Sequence, residues 1–448
     1  MAVDETRKSV AVYAGHLISP IDSKSYLDLR RGAIAVDASG TIQEVGPVDD
    51  LRAAWEGAHF YDFGDRLIMP GMIDLHIHLP QFTQIGKSGQ TLLSWLEKYI
   101  FPAESKFSDT SHARKIARWF FTELARNGTT LANVFTTIHA GSTDEAFQVA
   151  AEMGSRAIMG KVLMDRHSPD YLTEDVDTSL RQSVELCQKW HGYDNGRLLY
   201  AFVPRFAITC SSAQMQGVSK LWHEHKGTYM HTHLAESMEE VEFVHELFPD
   251  ARSYTDVYKR HGLLGDRSVY AHAIHLDGRD LSELSSTRSS IAHCPSSNFF
   301  LKSGRFHYVP VTDAGIRFGL GSDVAGGPYM SLFQVMRDAN YMQADCWVDP
   351  PELFYRATLG GAEAVGLSDK LGNLVKGKEA DFIVVNTSRK TEIAADMLKQ
   401  PTEEILSTLV FTGDDRLVEA TFVRGRCIFE LEPNLVSKTE QRFSGAPR

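Results

Sequence analysis

The 448-residue chain has no two cysteines spaced to act together. Its five, Cys187, Cys210, Cys294, Cys346 and Cys427, are odd in number, far apart and without a CxxC pair. Neither a disulfide framework nor a thiolate zinc site follows, and a reducing compartment, the cytoplasm, is expected. Basic excess is also missing: 46 Lys and Arg face 58 Asp and Glu, a formal net charge of −12, with no sustained Lys/Arg run. That balance argues against nucleic acid or an anionic membrane surface as a partner. No apolar stretch approaches the roughly 20 residues of a membrane span. The opening MAVDETRKSVAVYAGHLISP carries early acids, and His16 interrupts its apolar run, so a secretory leader is not expected. Internal repeats, low-complexity segments and long linkers are absent. A phosphate loop is excluded too: GKS at 86–88 needs a glycine where Gln81 stands.

What is present is ordinary globular composition, 43% hydrophobic and 23% charged residues, enough for one large and one smaller domain. Residues 1–69 read as short strands and turns (SVAVYAGHLI, GAIAVDASGTIQEVG), and so do residues 372–448 (ADFIVVNT, LVEATFVRGRCIFE). Neither end makes a sheet with two good faces alone, so the two are expected to pair into one small β-sandwich. The chain after Glu432 is expected to be loosely ordered. Between them, over 70–371, eight candidate strands alternate with helical stretches such as SHARKIARWFFTELARNG: GMIDLHIH, TTLANVFTT, RAIMGKVLMD, RLLYAFVPRF, TYMHTHLAE, SVYAHAIHL, SSIAHCP and IRFGLGSDV. Alternation of this kind means βα units and a parallel sheet, and eight of them close into a (β/α)8 barrel, an α/β fold. A doubly wound open sheet is the alternative, but no GxGxxG follows the first strand.

In such a barrel the active site lies where the strands end. Strand one ends in His76 and His78, strand four in Arg205, strand five in His233 and Glu236, strand six around His272 and His275, strand seven at His293 and strand eight at Asp323. Side chains alternate across a strand, so His76 and His78 share a face, about 6–7 Å apart. An isolated buried histidine is more often hydrogen-bonded core than ligand. Two on one face, with His233 and Asp323 at other strand ends, favour a metal. Zinc suits imidazole and carboxylate ligands, and iron or manganese also fits.

PGMIDLHIH, HTHLAES, VYAHAIHL and GSDVAGG, in this order and spacing, resemble the amidohydrolase superfamily, and GNLVKGKEADFIVV resembles its returning β-strands. Within the superfamily, LLSWLEKYIFPAESKF, VPRFAITC, HLAES and IAHCPSSN are similar to segments of members that deaminate guanine. The resemblance implies zinc, one ion per subunit, held by His76, His78, His233 and Asp323. It implies that His272 orients the water or substrate and that Glu236 shuttles a proton. Gln81, Arg205 and Phe206 would line the purine pocket, and a homodimer is implied. Many members carry a carboxylated lysine at the end of strand four; here that strand ends in PRF, so a mononuclear site is implied. Lys161, on strand three, is expected to be structural or exposed. The HxE/PCxxC design of other deaminases is absent.

The expected chemistry is hydrolytic deamination of guanine to xanthine and ammonia. A zinc-activated water is the nucleophile, Asp323 takes its proton and Glu236 protonates the ring. Arg205 offers a planar fork of donors for a carbonyl, Gln81 a donor and an acceptor, and Phe206 a wall for the base. Taken singly, Glu236 would read as a solvated acid opening a helix, Arg205 as a salt-bridge residue and Gln81 as a surface amide. His231 and His275 read as supporting or surface residues, and His293 as a group behind the ligands. Asp74 reads as structural. Ser296, Ser297 and Asn298 read as pocket-shaping or turn residues. Segment 82–107 is expected to close over the site or to make a subunit contact, with Trp95, Tyr99 and Phe101 as packing residues. Related substrates (8-oxoguanine, a triazine, an adenosine derivative) and a metal-free barrel scaffold are the competing readings.

Overall fold

The structure, a computed structural model, describes residues 9–88, 91–390 and 397–441. Eight parallel strand positions follow one another in chain order: β5 (Met72–His78), β6 (Thr129–Phe135), β7 (Arg156–Gly160) with its short continuation β8 (Val162–Leu163), β9 (Leu198–Pro204), β10 (Tyr229–Leu234), β11 (Ser268–His272), β12 (Ser290–His293) and β13 (Arg317–Leu320). All eight strands expected from the sequence are there. The barrel closes between its last and first strands, where the Asp323 N–H donates to the His76 carbonyl (2.8 Å) and the His78 N–H to that of Val324 (3.2 Å). Asp74, fully buried on β5, staples the same seam. Its carboxylate accepts the Ser322 N–H (3.0 Å) and hydroxyl (2.5 Å) and the His76 N–H (3.2 Å). These bonds satisfy a carboxylate that burial pushes up to about 7.

The intervening helices lie outside the strands with one apolar stripe inward. In Thr110–Arg126 the buried residues Ala113, Ile116, Ala117, Phe120, Phe121 and Leu124 recur at helical spacing, and Asp109 caps the first turn through the Ser111 N–H.

The terminal segments meet in one eight-stranded mixed sheet. β1 (Ala11–Pro20), β2 (Tyr26–Val36), β3 (Ile42–Pro47) and β4 (His59–Pro70) join β14 (Phe382–Val385), β15 (Val418–Val423) and β16 (Arg426–Glu430) in the order β16-β15-β14-β4-β1-β2-β3. One face packs Tyr13, Ile34, Phe63, Phe382 and Phe422, with the last two rings stacked at 4.3 Å. The stretch expected to be loose is instead ordered in part, because a helical turn (Leu435–Thr439) brings Glu440–Gln441 (β17) onto β4.

Sheet and barrel are riveted by the GKEAD stretch. Arg156, at the start of β7 and buried, donates to Asp381 (2.8 Å) and Glu379 (2.5 Å), which also receive Arg424. Gly71 lets the chain cross from sheet to barrel, since a Cβ there would sit 2.1 Å from the Thr130 hydroxyl.

Candidate active site

Strand alternation and barrel closure bring the ligand candidates together. His76 and His78 project from one face of β5, their Nε2 atoms 3.1 Å apart, and His233 Nε2, from β10, lies 3.2 Å from that of His78. Asp323 Oδ1, just past β13, is 3.2 Å from His76 Nε2 and 3.3 Å from His78 Nε2. His272 Nε2, at the end of β11, stands 3.6 Å from Asp323 Oδ2 and 3.5 Å from Glu236 Oε2. Asp323 and His272 both sit in the left-handed backbone region (φ 46° and 69°), a cost tolerated where the surroundings over-determine the turn. The glycines of GSDVAGG permit this crowding: a Cβ on Gly327 would lie 1.8 Å from the Ser322 carbonyl, and one on Gly326 2.9 Å from Asp323 Oδ2.

The outward-facing nitrogens decide what the cluster can hold. His233 Nδ1 lies 2.7 Å from the Arg205 carbonyl, and His272 Nδ1 lies 2.9 Å from Asn298 Oδ1. At His233, whose basicity burial lowers, the single N–H of the neutral ring donates to the Arg205 carbonyl and leaves Nε2 with a lone pair aimed inward. His76 Nδ1 rests against His231 Nε2 at 3.0 Å. Burial lowers the basicity of His76, pushes His78 down to about 3 and puts His233 well below the ordinary imidazole range, so none of the three is cationic at neutral pH. His272 Nε2 is buried with no hydrogen-bond partner among the described residues. Three converging imidazole nitrogens and one carboxylate, all within hydrogen-bond distance of a neighbour in the cluster, are the donor set of a divalent cation of zinc's character.

The second carboxylate differs. Glu236 follows β10 through Ala235 (φ 49°) and is held by the turn into helix Met238–Leu247, where Ser237 and Glu240 form a capping box. It is buried rather than a solvated helix-opening acid. Its Oε1 accepts the Ser303 hydroxyl at 3.3 Å, and the Ser303 carbonyl is bound by His275 Nε2 at 2.8 Å. Burial, with the Asp323 charge added, holds Glu236 well above the usual carboxylate range. Burial works in the same direction on Asp323, but hydrogen bonds from His76 and His78 outweigh it and keep that carboxylate well below. The environments of the two carboxyls thus push them in opposite directions, Glu236 toward holding a proton and Asp323 toward the carboxylate.

A pocket opens directly on this cluster, lined by His78, His233, Glu236 and Asp323 on one side and by Gln81, Arg205 and Phe206 on another. Gln81 is buried, its Oε1 accepting the Ala325 N–H at 3.3 Å, so it is no surface amide. Phe206 packs 6.2 Å from the His233 ring. Leu92, Trp95, Leu96 and Leu301 complete the wall, so residues 92–96 close over the site. This corrects the expectation for Trp95: its indole N–H is tied to the Lys87 carbonyl (2.6 Å), which leaves the ring as pocket wall. Phe101 stays a packing residue, beneath the Arg205 guanidinium at 5.7 Å. Lys161 is buried and paired with Glu174. His293 stacks on Phe306 at 4.1 Å. Ser303 and Glu104, the latter bound to Arg205, were not legible in the sequence, because nothing in their local spacing marks them.

A strand-end cluster of this kind on a (β/α)8 barrel with a sheet of terminal strands defines a class, and the amidohydrolase family model matches residues 67–428. The chain belongs to the amidohydrolase family. Its relatives within that family are specific. It is 41% identical over 375 residues to a guanine deaminase of Escherichia coli (strain K12), covering 82% of this chain and 84% of that one. Among solved structures, an E. coli guanine deaminase superposes with a TM-score of 0.91 at 36% identity, covering 94% of this chain and 100% of that one. A guanine deaminase from C. acetobutylicum with guanine bound in its active site does so with a TM-score of 0.87 at 32% identity, over 94% and 100%.

Proposed function

We propose that the chain is a guanine aminohydrolase: water adds to C2 of guanine, the C2–N bond breaks, and xanthine and ammonia leave. The observation that carries this reading is one pocket in which a metal-type donor cluster, Glu236 and the side chains of Arg205 and Gln81 face the same space. The guanine deaminases among its relatives support the choice of ring.

His76, His78, His233 and Asp323 would hold one divalent cation, zinc by donor type, which when bound would lower the pKa of water to about 7 and so supply the nucleophile at neutral pH. Asp323, ionised, accepts the proton of the attacking water. Glu236, protonated, gives its proton to ring N3 as C2 becomes tetrahedral, the proton held at Asp323 passes to the departing amino group, and the proton of the C2 hydroxyl returns to Glu236 as the carbonyl of xanthine forms. His272 fixes the space between the two carboxylates, with Asn298 setting its orientation. Arg205 donates to O6, Gln81 reads the mixed ring edge, and Phe206 with Trp95 walls the base and keeps bulk water out. The reading extends to a cytoplasmic location, expected from the cysteine usage, to a homodimer, as the resemblance implied, and to an organisation of catalytic barrel 70–371 flanked by 1–69 and 372–448.

The test is product analysis with guanine beside 8-oxoguanine, an aminotriazine and adenosine, together with bound-metal measurement. Xanthine and ammonia from guanine in equal amounts, with about one metal ion per chain, is the expected result. No xanthine, with turnover of another ring, would overturn it.

A further inference from the structure

The pocket's arginine is held by a carboxylate from the segment that covers the site. Glu104, in the short helix Phe101–Glu104, is 2% exposed, and Arg205, at the end of β9, is 3% exposed. Both Glu104 oxygens accept from the single nitrogen Nη1 of Arg205, at 2.8 and 2.9 Å. Among the described residues no protein group takes the other N–H groups of the guanidinium, while the residue lines the pocket. Phe101 lies under the guanidinium plane. The Arg205 main chain is fixed separately: its carbonyl binds His233 Nδ1 (2.7 Å) and its N–H donates to Leu163 (3.2 Å). Backbone and guanidinium thus have different anchors, and only the second comes from the covering segment.

Two buried charges this close carry a large desolvation cost, and replacing such a pair by apolar residues is often neutral or stabilising. Stability alone therefore does not account for a pair placed here. Orientation does. A guanidinium is a planar fork, and fixing one prong fixes where the other points. A free arginine in this pocket would sample rotamers that an incoming carbonyl must then freeze, a loss that a preset fork avoids. The pair is also nearly neutral overall, so what it offers is a directed hydrogen bond to an uncharged carbonyl rather than a bare positive charge.

We propose that Glu104 is a positioning residue for base recognition, setting the Arg205 fork against O6 of the purine and making closure of segment 92–107 part of substrate selection. This rests on the guanine reading above and assigns to that pocket a residue that does not itself line it.

The test is a double-mutant cycle on the full-length, metal-loaded enzyme: Glu104→Gln, Arg205→Gln and both, with kcat and KM measured for guanine. Misplacing a recognition group by about 1 Å costs on the order of 10²-fold. Glu104→Gln is therefore expected to lower kcat/KM about 10²-fold, mainly through KM, with metal content per chain unchanged. In the Arg205→Gln background, adding Glu104→Gln should change kcat/KM by less than about 3-fold, because nothing is left to position. Glu104→Asp keeps the charge but withdraws it by one methylene; it should show the KM rise in milder form, and it serves if Glu104→Gln fails to fold. Losses that multiply in the double variant, or an unchanged KM in both Glu104 variants, would overturn the proposal. Failure of the wild-type enzyme to make xanthine would overturn the guanine reading itself, with this inference.

Discussion

Arg156, where β7 leaves the terminal sheet, is buried between Asp381 and Glu379, with every charge answered by an opposite one at hydrogen-bond distance. At the other end of the same barrel, His76, His78, His233, His272 and Asp323 crowd together with ring nitrogen facing ring nitrogen and His272 Nε2 left without a hydrogen-bond partner among the described residues. Both clusters are buried and polar, and burial alone would rank them alike. Their difference lies in completeness. The first is closed and can only hold the chain together, whereas the second is finished only by something from outside. The donor atoms, not the degree of burial, separate structure from function.

The largest expected effect breaks the open cluster. His76→Ala or Asp323→Ala should abolish guanine turnover and bring metal per chain close to zero, with circular dichroism still native. Retained metal with retained turnover would contradict the assignment of the four ligands. Second, Glu236→Gln should keep the metal and lower kcat by about 10²–10⁴-fold. Because burial holds Glu236 well above the usual range, it keeps its proton to higher pH than an ordinary carboxyl and loses it as pH rises through its raised pKa. Wild-type activity should fall on that alkaline limb, and the residual activity of Glu236→Gln should lack it. Equal limbs in both enzymes would place the proton elsewhere.

Third comes the closed cluster, where the readout changes from activity to stability. Arg156→Met leaves the buried Asp381 with only the Arg424 main-chain N–H and the partly buried Glu379 with Arg424 alone, and this should cost up to about 3–5 kcal/mol in denaturant unfolding with kcat per folded molecule unchanged. The pH dependence runs opposite to that of the site. Burial alone would raise Glu379, but Arg156 and Arg424 hold its folded pKa below the ordinary value. Its contribution is complete above roughly pH 4.3 and is lost as pH falls below that value toward the depressed folded pKa. Acid should therefore loosen the rivet while alkali stops the chemistry. A wild-type unfolding curve no steeper in acid than that of Arg156→Met would remove the distinction.

The two clusters also differ in how far the sequence betrays them. The strands were legible because βα alternation repeats eight times, and the ligands because i and i+2 on a strand share a face and sit at strand ends. GKEAD was visible as a family resemblance, but its role was not, since Arg156 lies more than 200 residues before its partners. The same separation hid Glu104, which meets Arg205 across 101 residues, and Ser303, which meets Glu236 across 67. Trp95 was hidden differently: it does pack as core, at 2% exposure, and only the closed segment shows that its ring also faces the pocket. Local spacing encodes what one element presents; what two elements do to each other appears only after closure.

The smallest effect tests whether the open cluster is tuned as well as assembled. Ser303 reaches Glu236 with one long hydrogen bond, at 3.3 Å, which favours the ionised form against the burial that opposes it. Ser303→Ala removes a bond of about 0.5–1.5 kcal/mol, equivalent to up to about one pKa unit. The sign follows from the form it favours: without the hydroxyl, Glu236 holds its proton more tightly, so the alkaline limb should move to higher pH. A more tightly held proton is a weaker acid toward ring N3, so kcat on the plateau should fall by about 2- to 10-fold. A limb that moves to lower pH would mean that the hydroxyl serves the protonated acid, reversing the direction of this bond. An unmoved limb with a lower kcat would leave Ser303 as a support for the 295–303 turn, and the proton on Glu236 would then be set by burial and Asp323 alone.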